Sequence, residues 1–136
     1  MGDTPSERCS AYSQDSATRQ LLNRLADKWA FLILDRLNRS PARFGVLRRD
    51  INGITHTLLS KTLKNLERDG LVTRTVFPTA PVSVEYALTE LGQSLRPVTA
   101  LVQWTEQHIC SVQSAQQSYE IRAAAGAGAL LERECA

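Results

Sequence analysis

RFGVLRRDINGITHTLLSKTLKNLERDG, the stretch from Arg43 to Gly70, decides the fold. Phe44, Leu47 and Ile51 fall on one face of a short helix around residues 43–50, and Asn52-Gly53 follows as a turn pair tolerant of positive φ. Thr55 is placed as an N-cap. Leu58, Leu59, Thr62, Leu63 and Leu66 then give the i, i+3/i+4, i+7/i+8 stripe of a longer helix, which Gly70 ends as a C′ residue. A short helix, a tight turn and a longer helix with a polar outer face predict a helix-turn-helix.

Downstream the period changes from helical to alternating. Residues 71–77 (LVTRTVF) and 82–88 (VSVEYAL) read as two strands around Pro78-Thr79-Ala80-Pro81, a connection too proline-rich for a two-residue turn. A hairpin directly after the longer helix is a wing. Upstream, Ser16 is a plausible N-cap. Leu22, Leu25, Trp29, Leu32, Ile33 and Leu37 recur at helical spacing, predicting two helices, 17–26 and 28–38, with Asp27 capping the second and Ser40-Pro41 stopping it.

Thr89 caps a final long helix in which Leu91, Leu95, Val98, Val102, Thr105, Ile109 and Val112 are separated by 4, 3, 4, 3, 4 and 3 residues, a heptad seam. Leu101, Trp104 and His108 lie beside the seam, and Pro97 falls within it as a candidate kink. A helix this apolar on two faces needs a partner. The expected class is mainly α with a small β-hairpin: an arm at 1–15, a winged helix-turn-helix with N- and C-terminal dimerisation helices at 16–112, and a tail at 113–136, rich in Gln and Ala with Gly126 and Gly128, to which no structure or role is assigned.

The chain of 136 residues is 43% hydrophobic and 22% charged, enough for one core. Apolar runs are short and interrupted by charge, and no cationic leader opens the chain, so a cytoplasmic protein without a membrane span is expected. Cys9, Cys110 and Cys135 fit neither a disulfide framework nor zinc spacing, and no metal, cofactor or catalytic constellation is expected. Charge is uneven. Residues 39–76 carry eight basic side chains (Arg39, Arg43, Arg48, Arg49, Lys61, Lys64, Arg68, Arg74) against three acidic ones (Asp50, Glu67, Asp69), although the whole chain sums only to +2. A polyanion would bind there.

With this order of elements, the chain resembles the HxlR-type regulators, relatives of the MarR-type winged-helix dimers. The resemblance covers about residues 20–105 and rests on Asp27-Lys28-Trp29, on 42–49 (ARFGVLRR), on 51–54 (INGI), on 58–72 (LLSKTLKNLERDGLV) and on 84–92 (VEYALTELG), in order and at the family's spacing. It implies a homodimeric transcription factor, paired through its terminal and first helices, whose longer helix of the motif enters the DNA major groove. It also implies a thiol sensor about thirteen residues before Trp29. Ser16 holds that place, so the sensing chemistry does not carry over directly, and Cys9, beside Arg8 in the arm, is the candidate redox sensor.

The residues facing away from the leucine stripe become the candidate DNA contacts. Lys61 suits guanine acceptors, while Thr55, His56, Thr57 and Ser60 occupy the N-terminal turn that approaches bases in such motifs. Lys64 shares with them the face that offers donors to base edges, whereas Arg43, Arg48, Arg49, Arg68 and Arg74 suit phosphate, although Arg74 could instead pair with Glu85 across the hairpin. The candidate dimer interface comprises Leu91, Leu95, Val98, Leu101, Val102, Trp104, Thr105, Ile109 and Val112. Trp29 and Trp104 fit core packing better than a ligand cavity, and Cys110 fits packing better than chemistry. Expected partners are double-stranded DNA, a second copy and a small-molecule or electrophile inducer. The alternative, a winged-helix module that binds protein, leaves the basic segment unexplained.

Overall fold

A computed structural model describes residues 9–135, with side chains described through residue 127. Residues 1–8, which include most of the expected arm, and Ala136 lie outside the described residues, as does the side chain of Cys135. Ser16 caps α1 (Ala17–Leu25), its Oγ accepting from the Arg19 N–H at 3.0 Å. Asp27 is extended and separates α1 from α2 (Lys28–Arg39). On α2 the core face is Ala30, Ile33, Leu34 and Leu37, whereas Leu22 of α1 and Leu32 are exposed rather than part of the expected stripe. Both faces satisfy a helical period. The neighbours decide between them, because α2 packs on the motif's longer helix and on the sheet.

Ser40 ends α2 in an extended conformation before Pro41, and Ala42–Arg43 form β1, a strand not anticipated from the sequence. Then come α3 (Phe44–Asp50), a turn in which Gly53 takes φ +91°, and α4 (His56–Arg68). Gly70, at φ +79°, closes α4 with a Schellman pattern: its N–H donates to the Glu67 carbonyl and that of Leu71 to the Leu66 carbonyl, each at 3.0 Å. β2 (Val72–Phe77) and β3 (Ser83–Leu88) form the hairpin, and β1 joins on the far side of β3, giving an antiparallel sheet of order β1-β3-β2.

The final helix differs from the single element expected. Thr89 caps a short α5 (Glu90–Gln93), and a separate α6 runs from Arg96 to Cys135. Pro97 explains the break. It lacks the N–H that would reach the Gln93 carbonyl, and its ring would meet that carbonyl, whereas in the first turn of a new helix neither matters. The heptad spacing therefore begins on a different helix from the one that continues it. Beyond Val112, where no structure was assigned, α6 continues through an Ala- and Gln-rich stretch of strong helix formers.

The chain divides into a compact unit ending at Val102 and a second one beginning at Gln103. In the first, Ile33, Leu47, Leu59, Leu63 and Val72 are fully buried, joining α2, α3, α4 and β2 in one core. Two arginines brace its helix ends. Arg36 of α2 donates to Asp50 at the end of α3 at 2.9 Å and to the Ser40 carbonyl at 3.2 Å. Arg24 of α1 donates two bonds, at 2.9 and 3.0 Å, to Asp69, the C-cap of α4.

The hydrogen bond from Arg36 holds the Asp50 carboxyl below its ordinary value, assisted by the charges of Arg36 and Arg49. A depressed carboxyl contributes stability that is complete above its unfolded value of about 3.9 and is lost as pH falls through the folded one. Melting temperature should therefore fall with acidification over that window, and Asp50→Asn should flatten that part of the profile. An unchanged slope in the variant would remove the bond from the account.

Candidate nucleic-acid interface

Thr55 sets the start of α4, its Oγ1 accepting from the Leu58 N–H at 3.1 Å. This oxygen therefore caps the helix, and only its O–H remains to donate outward. Leu59, Thr62, Leu63 and Leu66 are buried, with Leu58 half-buried, and the Thr62 hydroxyl is satisfied by the Leu58 carbonyl at 2.8 Å. Burial of this stripe turns His56, Thr57, Ser60, Lys61, Lys64 and Arg68 to the exposed side, as expected. The His56 ring rests against Phe44 of α3, centroids 4.7 Å apart and tilted by 53°, which fixes it at the first turn.

The wing brings in one further cation. Strand register places Arg74 opposite Tyr86, while Glu85 lies opposite Thr75 on one side and Arg43 on the other. Arg74 and Glu85 thus sit on opposite faces of the sheet, so the pairing considered from the sequence does not form; a one-residue offset in register exchanges faces. Arg74 instead lines an open cleft of about 330 Å³ with Ser60, Leu63, Lys64, Glu67 and Tyr86. Ser60, Lys64 and Arg74 offer a hydroxyl, an ammonium and a guanidinium from two different elements to one space. Phosphate oxygens match such donors.

Arg43, Arg48 and Arg49 are exposed at the start and end of α3, with Arg49 3.5 Å from Asp50. Of the three acidic residues counted in the basic segment, Asp50 and Asp69 are engaged by Arg36 and Arg24, which lie outside residues 39–76. The sequence count could not include these pairings. They leave Glu67 as the carboxylate that borders the cleft, so the local field is more positive than the tally of the segment implies.

The candidate dimer residues divide. Val98 is buried in the protomer's own core and Leu95 packs against it, so these two stabilise the monomer fold; Leu91, Leu101, Trp104, Ile109 and Val112 are exposed, and Val102 is half-buried. Thr105 is also exposed to solvent. Trp104 does not enter a core. It is 51% exposed and stacks on His108, centroids 4.6 Å apart, with His108 Nδ1 2.9 Å from the Trp104 carbonyl. Trp29 is half-buried beneath Lys28, whose Nζ lies 4.7 Å from the ring. Cys9 and Cys110 are exposed free thiols, while Ser16 is buried and its hydroxyl donates to the Ser13 carbonyl at 3.0 Å. Among the described residues no cluster of His, Cys, Asp and Glu could hold a metal ion, and no helix is long and apolar enough to cross a membrane.

Comparison with known proteins gives the same outline. The HxlR-like helix-turn-helix family matches residues 24–113. An uncharacterized HTH-type transcriptional regulator of Escherichia coli, YtfH, is 35% identical over 102 residues, covering 74% of this chain and 81% of the relative. The structure of the putative transcriptional regulator ytfH from Salmonella typhimurium superposes with a TM-score of 0.76 at 32% identity, covering 79% of this chain and 97% of the other. Diamide-treated YodB from B. subtilis superposes with a TM-score of 0.55 at 36% identity, over 65% and 89% of the two chains.

Proposed function

Because the chain belongs to the HxlR-like helix-turn-helix family of transcriptional regulators, we propose that it binds double-stranded DNA as a homodimer, α4 of each protomer entering the major groove at one half of an inverted repeat. The observation that carries this reading is the two-sided α4: leucines in the core, Lys61 and Lys64 outward, and the wing's Arg74 sharing a cleft with Lys64. Lys61 reads guanine acceptors, with Thr55, His56, Thr57 and Ser60 approaching bases from the first turn. Lys64 and Arg74 hold a backbone phosphate in the cleft, and Arg43, Arg48, Arg49 and Arg68 contact flanking phosphates. Pairing runs through the exposed apolar residues of α6, Leu101, Trp104, Ile109 and Val112.

Mobility shifts on duplexes selected from a random pool test this. The expected product is an inverted repeat with half-sites about 34–36 Å apart. Affinity should fall steeply with salt, by about 10³–10⁵ between 50 and 200 mM for 6–10 phosphate contacts. A chain that shifts no duplex in a salt-sensitive way is a protein-binding module instead.

Regulation by thiol oxidation attaches to Cys9, since Ser16 offers no thiol and its hydroxyl is engaged in the cap. Diamide is expected to release DNA from the wild type and not from Cys9→Ser. Equal release from both transfers the response to Cys110 or Cys135.

A further inference from the structure

Apart from the cleft beside the wing, a second cavity of about 220 Å³ opens between α1, the α1–α2 corner and α4. Its lining includes four charged residues, Arg24, Asp27, Lys61 and Asp69. Arg24 and Asp69 neutralise each other through their two hydrogen bonds. Asp27 and Lys61 remain. Asp27 occupies the N-cap position of α2, where an Asp carboxylate ordinarily accepts a helix N–H, yet it makes no side-chain capping bond. Among the described residues, neither Asp27 nor Lys61 enters an ion pair. The rest of the lining mixes polar and apolar side chains, Asn23, Thr62 and Asn65 with Ala30, Leu58 and Leu66, and of the apolar three Leu58 is the half-buried one while Ala30 and Leu66 are buried.

We propose that this cavity binds an amino-acid-sized zwitterion, its ammonium on Asp27, its carboxylate on Lys61 and a short aliphatic side chain against the half-buried Leu58. A simple anion would leave the Asp27 charge facing it, a simple cation would leave Lys61, and an uncharged apolar molecule would desolvate both without compensation. The volume is below the roughly 300–1,000 Å³ typical of pockets for drug-sized ligands, which favours a small occupant. The regulatory consequence rests on the DNA reading above: a carboxylate on Lys61 withdraws that ammonium from the major groove, so the ligand weakens operator binding, and by linkage the operator weakens the ligand by the same factor.

The test begins without DNA. L-Alanine, L-valine and L-leucine are titrated calorimetrically into the full chain, alongside L-leucinamide, which lacks the carboxylate, and isoamylamine, which also lacks the α-substituent. At least one of the amino acids is expected to bind, and Asp27→Asn, Lys61→Met and loss of the carboxylate should each weaken it about tenfold or more. Asp27 makes no capping bond and Lys61 is exposed, so neither substitution removes a structural contact. No heat from any of the amino acids at millimolar concentration, or variants that bind as tightly as the wild type, overturns the proposal. If an amino acid binds with this dependence and the chain shifts no duplex, the site stands and the DNA reading falls; a duplex shift with no amino-acid binding gives the reverse.

Discussion

Replacing Gly92 with alanine is expected to lower the unfolding free energy by about 3 kcal/mol or more, at the upper end of overpacking effects. A Cβ built at Gly92 runs into the carbonyl oxygen of Leu71 and meets the carbonyl carbon of Leu71 and Cδ2 of Leu88, each at 3.2 Å. The first two are backbone atoms, fixed from both sides. The Leu71 carbonyl accepts from the Thr89 N–H at 3.0 Å, and the Thr89 hydroxyl donates to the Gly70 carbonyl at 2.6 Å while accepting from the Gly92 N–H at 3.0 Å. These bonds tie the end of α4, the root of the wing and the start of α5 at one point, so relief of the clash must break at least one of them. Gly45 is the control. An added Cβ there meets nothing within 4 Å, and alanine inside α3 should stabilise the protein by up to about 1 kcal/mol. Urea titrations of both variants decide it: a Gly92→Ala midpoint equal to wild type would mean that the junction yields at no cost.

Gly92 also marks where sequence reading reaches its limit. The turn at Gly53 and the closure at Gly70 were legible because both glycines adopt positive φ at places where local spacing demanded it. Gly92 is required by a contact with Leu71, twenty-one residues away, which no local pattern encodes. The same division runs through the fold. The leucine stripe of α4 identified its own polar side, because a helical period that buries one face exposes the other. β1 is only two residues long and exists by virtue of pairing with β3, and the choice of Ala30 and Leu34 over Leu32 depends on what α2 packs against. Side-chain pairing was the least legible layer. Arg24 finds Asp69 across forty-five residues, and the face of Arg74 depended on a register that alternation alone leaves undetermined.

Replacing Lys61 with alanine is expected to cost about 1–3 kcal/mol on the selected operator, close to tenfold per 1.4 kcal/mol, and much less on random duplex. Lys61 is exposed one turn into α4, where a recognition helix brings side chains to base edges, and it lies outside the wing cleft that collects Ser60, Lys64 and Arg74. A lost base contact removes affinity only where its base is present. Arg74→Ala provides the contrast, because a phosphate contact is made on every sequence: both duplexes should weaken alike, and the slope of log K against log salt should become shallower by about 0.9. The discriminating quantity is thus the ratio of operator to random-duplex affinity, which should fall for Lys61→Ala and hold for Arg74→Ala. Both side chains are exposed and neither enters the core, so unchanged melting temperatures should accompany the binding losses. If the ratio holds for Lys61→Ala as well, Lys61 contacts backbone, and sequence must be read by the first-turn residues His56, Thr57 and Ser60 or by the shape of the duplex itself.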